Sequence, residues 1–134
     1  MKLWIDDVRP APEGYVWCKS VNSAKRMIGL VADTYVVEFN PGHFTLAYGE
    51  AELKQLENRV EHKVNIVSHT DPLELIDIDH DAGDFACDGG DYIRLLDWLE
   101  ETGRNYPIRI HSMNPVGVAN MRAIIQRNNW REMF

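Results

Sequence analysis

The stretch Leu73–Asp79, LELIDID, runs directly into His80–Asp91, HDAGDFACDGGD, and this junction decides the fold. Leu73, Leu75, Ile76 and Ile78 form a short apolar run, bounded before by Asp71-Pro72 and after by a loop rich in acid and glycine. That is the pattern of a buried strand running out to solvent. The next segment, DYIRLLDWLEE (91–101), carries Tyr92, Leu95, Leu96 and Leu99 at helical spacing, with Asp91 suited to the N-cap and Gly103 to the C-cap. PIRIHS (107–112) predicts another strand, and Asn114-Pro115 opens a helix through VGVANMRAIIQRNN, proline being tolerated in a first turn.

The same alternation extends towards the N-terminus. KLWID (2–6) and YVWCK (15–19) predict strands, separated by VRPAPEGY, where two prolines and a glycine exclude a helix. Ser20 or Asn22 caps a helix through VNSAKRMIGLV, with Val21, Ala24, Met27, Ile28 and Val31 on one side. Tyr35–Phe39 and His43–Tyr48 predict a hairpin about the Asn40-Pro41-Gly42 turn. GEAELKQLENRVEH (49–62) is a helix with a narrow stripe of Ala51, Leu53, Leu56 and Val60, and Val64–Val67 and Trp130–Phe134 are further short strands. Strands alternating with helices imply a parallel sheet with helices on both faces. Trp4, Trp17 and Trp98 are expected in the core.

The 134 residues suit one domain, and 45% hydrophobic with 26% charged residues is an ordinary globular balance. No apolar run approaches the roughly 20 residues of a membrane span, and MKLWIDDVRP lacks a signal peptide's apolar core, so a cytoplasmic location is expected. Cys18 and Cys87 lie outside any CxxC pair and are expected to be free thiols. A net charge of −7 without a basic run argues against non-specific binding to duplex nucleic acid. His43, His62 and His69 lack ligand spacing and there is no HExxH, which speaks against a zinc site.

Ligands of an open parallel sheet bind outside the carboxyl ends of its strands. Here those ends carry Asp6-Asp7, Asp79-His80-Asp81 and His111-Ser112. Carboxylates gathered together repel one another unless a cation relieves them, and carboxylates completed by water and phosphate are what Mg²⁺ prefers. Asp6, Asp7 and Asp79 are therefore the candidate ligands of a divalent metal, Mg²⁺ or Mn²⁺, with Asp81 beside them. Asp84, Asp88 and Asp91 fit loop solvation and helix capping. His80 and His111 are candidate proton-transfer groups, one able to take a proton from water and the other to protonate a leaving oxygen. Ser112, Asn114 and Arg9 are candidate phosphate contacts.

Asp6-Asp7 after the first strand, Asp79 after a middle strand, Ser112 after the next and Asp88-Gly89 before a helix resemble the receiver domains of two-component response regulators. More closely, IDDVRPAP (5–12), IDHDAG (78–83) and HSMNPVGVANM (111–121) resemble LDDxRxxP, LDHDLG and HSxNPxGxxNM of a bacterial receiver-like family named for predicted cyclic-phosphate processing. The resemblance implies a flavodoxin-like three-layer fold, with a loop at Arg9–Gly14 where a receiver has its first helix. It implies a single domain over 1–134, with residues 32–72 inserted as a hairpin-helix unit or a protein-partner surface. In receivers the middle aspartate accepts a phosphoryl group and a lysine after the last strand contacts it; no lysine follows the last strand here.

Together these features lead to a metal-dependent phosphate-processing protein that hydrolyses a cyclic phosphate on a nucleotide or RNA end. In that reading Asp79, His80 and His111 are the catalytic groups. The alternative is a non-catalytic receiver-like signalling module that binds Mg²⁺, with Asp79 as phosphoacceptor.

Overall fold

A computed structural model describes residues 1–29, 34–59, 64–70 and 73–134; Val31, Val60, His62 and Asp71-Pro72 lie outside them. The chain forms two compact units, one of Met1–Lys25 with Leu73–Phe134 and one of Arg26–Pro72.

In the first unit β1 (Lys2–Ile5), β2 (Tyr15–Cys18), β6 (Leu75–Ile78), β7 (Ile108–Ile110) and β8 (Glu132–Met133) form a parallel sheet in the order β2-β1-β6-β7-β8. Without the strands of the second unit, this is the 2-1-3-4-5 order of the flavodoxin-like fold. The chain leaves β1 for β2 on one side and reaches β6 on the other, so the topological switch point lies between β1 and β6. Residues 6–14 join β1 to β2 without a helix, as the Pro10, Pro12 and Gly14 punctuation predicts.

Leu3, Ile5, Ile76, Ile78 and Ile108 are fully buried, as are Leu95, Leu96 and Leu99 of α3 (Ile93–Glu101) and Met121 of α4 (Pro115–Arg127). Each such side chain contributes roughly 1.5–3 kcal/mol relative to exposure. Lys25 of α1 (Val21–Met27) lies over the Trp98 ring of α3, and α3 packs against α4, so the three helices form one layer. The other sheet face, which carries Trp4, Tyr15, Trp17, Leu75 and Arg109, receives none of them. This corrects the expectation for the tryptophans. Trp4 and Trp17 are only half-buried, on the face away from α1, α3 and α4, and Trp98 is half-buried on α3 beneath the side chains of Lys25 and Arg104.

Helix ends follow the sequence with one exception. Gly103, at φ +67°, closes α3: its amide donates to Glu100 O and that of Arg104 to Leu99 O. The Asn114 side chain accepts from Gly117 N at 3.0 Å and caps α4, with Pro115 in the first turn. Asp91, expected at the N-cap of α3, is not there: Tyr92 holds that position, and Asp91 Oδ1 accepts from Ala82 N at 3.1 Å, pinning the acidic loop. Asp88 ties the same loop to α1, accepting from Ser20 Oγ at 2.6 Å and Asn22 Nδ2 at 3.1 Å, while Ser20 Oγ caps the helix at Ser23 N. Gly89 (φ +112°) makes this contact possible, because a Cβ there would meet Val21 Cβ at 2.8 Å. Cys18 and Cys87 are free thiols, and burial pushes that of Cys18 up to about 11.

In the second unit β3 (Thr34–Asn40), β4 (His43–Tyr48) and β5 (Asn65–Thr70) form an antiparallel sheet in the order β4-β3-β5, and α2 (Gly49–Arg59) packs on β4 and β3. Gly42, at φ +77°, closes the hairpin turn. Among the described residues no helix is long and apolar enough to cross a membrane.

Candidate metal and phosphate site

The carboxyl ends of β1, β6 and β7 are adjacent in the sheet, so Asp6-Asp7, Asp79-His80 and His111-Ser112 share one rim. The ladders continue past the strands, with Asp79 N donating to Ile5 O and His111 N to Ile78 O, both at 2.9 Å. One carboxylate oxygen from each of Asp6, Asp7 and Asp79 lies within 4.8 Å of the others.

Asp6 is fully buried. Its Oδ1 accepts from the amides of Val8 at 2.9 Å and Arg9 at 2.8 Å, which fixes the start of the 6–14 loop, and its Oδ2 lies 2.9 Å from His111 Nε2. Burial raises the Asp6 carboxyl, but these amides and His111 outweigh it and hold the group below its ordinary value. Asp7 is shifted the other way: burial, then repulsion from Asp6 and Asp79, holds its carboxyl above the ordinary value. A Cβ at Gly83 would collide with Asp7 Oδ2, so glycine there leaves the carboxylate its room. Hard oxygen donors from three carboxylates, one of them repelled by the other two, fit a Mg²⁺ or Mn²⁺ ion.

His111 is clamped on both ring nitrogens. Its Nδ1 lies 2.7 Å from Asp77 Oδ1, and the ring stacks on the Trp4 indole at 3.9 Å between centroids and 4° between planes. Each nitrogen faces a carboxylate oxygen, and the ring satisfies both only by donating from each. Asp77 is itself 1% exposed, with Arg109 Nη1 3.9 Å from its Oδ2. The Arg9 guanidinium donates to His111 O at 3.1 Å.

His80 lies on the other side of Asp79, whose Oδ1 accepts from His80 N at 2.8 Å. Its Nδ1 is 3.0 Å from Asp81 Oδ1 and 3.5 Å from Asn114 Nδ2, and Nε2 makes no hydrogen bond among the described residues. The shorter contact decides the tautomer: Nδ1 donates to Asp81 and Nε2 is left as an acceptor. A Cβ at Gly117 would collide with the His80 ring, so α4 admits the imidazole only because it has glycine there. Ser112 Oγ accepts from Asn114 N at 3.1 Å, leaving the hydroxyl proton to donate elsewhere.

The structure thus brings Asp6, Asp7 and Asp79 into one cluster, with His111 and Arg9 on its Asp6 side and His80, Asn114 and Ser112 at the end of α4. Asp81 stands outside the acid cluster, exposed and against His80. Sequence reasoning missed Asp77, Trp4, Gly83 and Gly117. The available signal for Asp77 was an acid inside the apolar run LIDI, two residues before Asp79.

No curated protein and no solved structure matches the chain at a significant level. The family model of the cyclic-phosphate processing receiver domain matches residues 52–127, which include Asp79, His80, His111 and Ser112 and leave Asp6-Asp7 outside the matched span. With more than half of its length matched, and with the flavodoxin-like strand order and acids at the switch point, the chain belongs to the cyclic-phosphate processing receiver domain family.

Proposed function

We propose that the protein hydrolyses a cyclic phosphodiester on a nucleotide or RNA end, using a divalent cation, Mg²⁺ or Mn²⁺, held by Asp6, Asp7 and Asp79. The observation that carries this reading is the acid cluster beside His80, whose Nε2 makes no hydrogen bond among the described residues, at the switch point of a cyclic-phosphate processing receiver domain. When bound, the cation supplies charge neutralisation at the phosphoryl oxygens.

The chain's own groups account for the remaining requirements. His80 Nε2 takes a proton from water as the water oxygen bonds to phosphorus. One ester P–O bond breaks, its oxygen takes the proton, and a phosphomonoester with a free hydroxyl results. Asp81 keeps Nδ1 protonated and Nε2 basic. The Ser112 hydroxyl, Asn114 Nδ2 and the outer N–H groups of Arg9 orient the phosphate. His111, with both nitrogens engaged, holds Asp6 in place and takes no part in proton transfer.

Incubation of the purified protein and Mn²⁺ with a panel of 2′,3′-cyclic and 3′,5′-cyclic nucleotides tests the reading; a panel left untouched sinks it. An Asp79 adduct with beryllofluoride, without turnover, would instead favour the signalling-module reading. A narrower prediction concerns α4. Gly117→Ala keeps the helix, alanine being the better helix former by about 1 kcal/mol, but its Cβ displaces His80. Turnover is expected to fall at least about tenfold, with the His80 ring resonances shifted and Mn²⁺ affinity retained.

A further inference from the structure

We propose that the cavity at the end of β2 is a nucleobase site, in which Trp17, Lys19 and Phe85 hold the base of the nucleotide whose phosphate lies against the acids. The proposal rests on the reading of Asp6, Asp7 and Asp79 as the metal and phosphate site.

The cavity has a volume of about 380 Å³ and is lined by Trp17, Lys19, Ser20, Ser23, Phe85 and Asp88. That is within the roughly 300–1,000 Å³ of small-molecule sites. Both aromatic walls are attached to segments that carry the acids. Trp17 Nε1 donates to the backbone oxygen of Asp6 at 2.7 Å. Phe85 lies two residues beyond Gly83, in the 3-10 turn Gly83–Cys87, and Gly83 abuts Asp7. Ile5 pairs with Cys18 across the β1–β2 ladder, so Lys19 stands level with Asp6 on the same rim. A ligand spanning both places would keep its anionic end at the acids and its other end in the cavity.

The walls select the chemistry of that other end. Trp17 and Phe85 are half-buried and offer aromatic surface. The Lys19 ammonium is exposed and lies over both rings, 4.5 Å from the Trp17 centroid and 5.8 Å from that of Phe85. The Ser20 hydroxyl is already given to Asp88. The exposed Lys19 side chain is free to swing aside, so a flat π-ring with acceptors on its edge can take the ammonium's place over the rings and meet the displaced ammonium edge-on. Nucleobases have this form, and they stack on aromatic side chains whatever their sequence.

The test uses the full chain labelled with ¹⁵N, reading the Trp17 indole resonance and affinities for three probes. These are 3′-GMP with Mg²⁺, inorganic phosphate with Mg²⁺, and guanosine without metal. The variants are Phe85→Leu and Lys19→Met, neither of which touches the acids. With Mg²⁺, 3′-GMP is expected to bind at least about tenfold tighter than phosphate and to shift the Trp17 indole. Guanosine should shift the same resonance at higher concentration. Each variant should weaken 3′-GMP at least about fivefold while leaving phosphate affinity unchanged. Equal affinity for 3′-GMP and phosphate, or variants that bind 3′-GMP like the wild type, overturns the base site and leaves the phosphate reading standing. If phosphate fails to bind but guanosine shifts Trp17, and does so less in Phe85→Leu, the base site stands and the phosphate reading falls. If guanosine also leaves Trp17 unmoved, both fall.

Discussion

Replacing His111 with phenylalanine is expected to cost about 3–5 kcal/mol of folding stability, the range for removing one partner of a buried ionic network. Phenylalanine keeps the stacking surface for Trp4 and fits a similar volume, so packing changes little. What disappears is the donor at each ring nitrogen. Asp6, fully buried, and Asp77, 1% exposed, then face one another across an apolar ring. Arg109, at 3.9 Å and half-exposed, compensates Asp77 only in part, and nothing replaces His111 at Asp6 Oδ2. The pH dependence follows from the lowered Asp6 value. A carboxyl held below its ordinary value of 3.8 contributes stability that is present above that value and is lost as pH falls through the lowered one. The gap between wild type and His111→Phe is therefore widest near neutral pH and narrows under acid, where the carboxyls of the variant can protonate. Urea melts at pH 7 and at pH 3, below the ordinary carboxyl value, measure it. A loss below about 1 kcal/mol, or a gap that widens under acid, would show that the clamp contributes little.

The same clamp shows which parts of the site were legible in the sequence. The acids and Ser112 were readable because each follows an apolar run, and a strand that ends in a carboxylate announces both its rim and its chemistry. Flavodoxin-like strand order followed from the resemblance. The contact of His111 with Asp77 was not readable, because it depends on register: Trp4, Asp77 and Arg109 lie side by side on three strands, and no spacing within one segment reveals that. Trp4 and Trp17 were expected inside for a related reason. Apolar bulk in a strand predicts burial, but the 6–14 loop replaces a crossover helix, and α1, α3 and α4 all lie on the opposite face. Capping is a local rule, and by that rule Asp91 belongs at the helix start. In the fold its carboxylate is taken by the Ala82 amide, since the acidic loop must be pinned before α3 begins.

The second large effect concerns Asp7, where stability and metal binding are expected to move in opposite directions. Asp7→Asn should raise the stability of the metal-free protein by on the order of 1 kcal/mol, because it removes a charge repelled by Asp6 and Asp79 in a partly desolvated place. The sign comes from the raised value of Asp7. A carboxyl whose ionised form is disfavoured in the fold carries a penalty that sets in as pH rises through 3.8 and is complete above the raised value. Asparagine has no such penalty, so the gain should be present at pH 7 and vanish under acid. The same substitution replaces one of three carboxylate donors with a weaker, neutral amide oxygen and takes one negative charge from the cluster. Loss of a partner one step removed from a metal typically costs 10–100-fold in affinity, so loss of a direct ligand should weaken Mn²⁺ by at least about 100-fold. Asp79→Asn should show the same loss of Mn²⁺ while its effect on stability is smaller, since Asp79 Oδ1 is already engaged by the His80 amide. Solvated acids that bind nothing would give a different pair of results: no Mn²⁺ affinity to lose and little change in stability. Calorimetric Mn²⁺ titration and urea melts of the wild type and both variants separate the two outcomes, and an Asp7→Asn protein that binds Mn²⁺ as tightly as the wild type would remove Asp7 from the site.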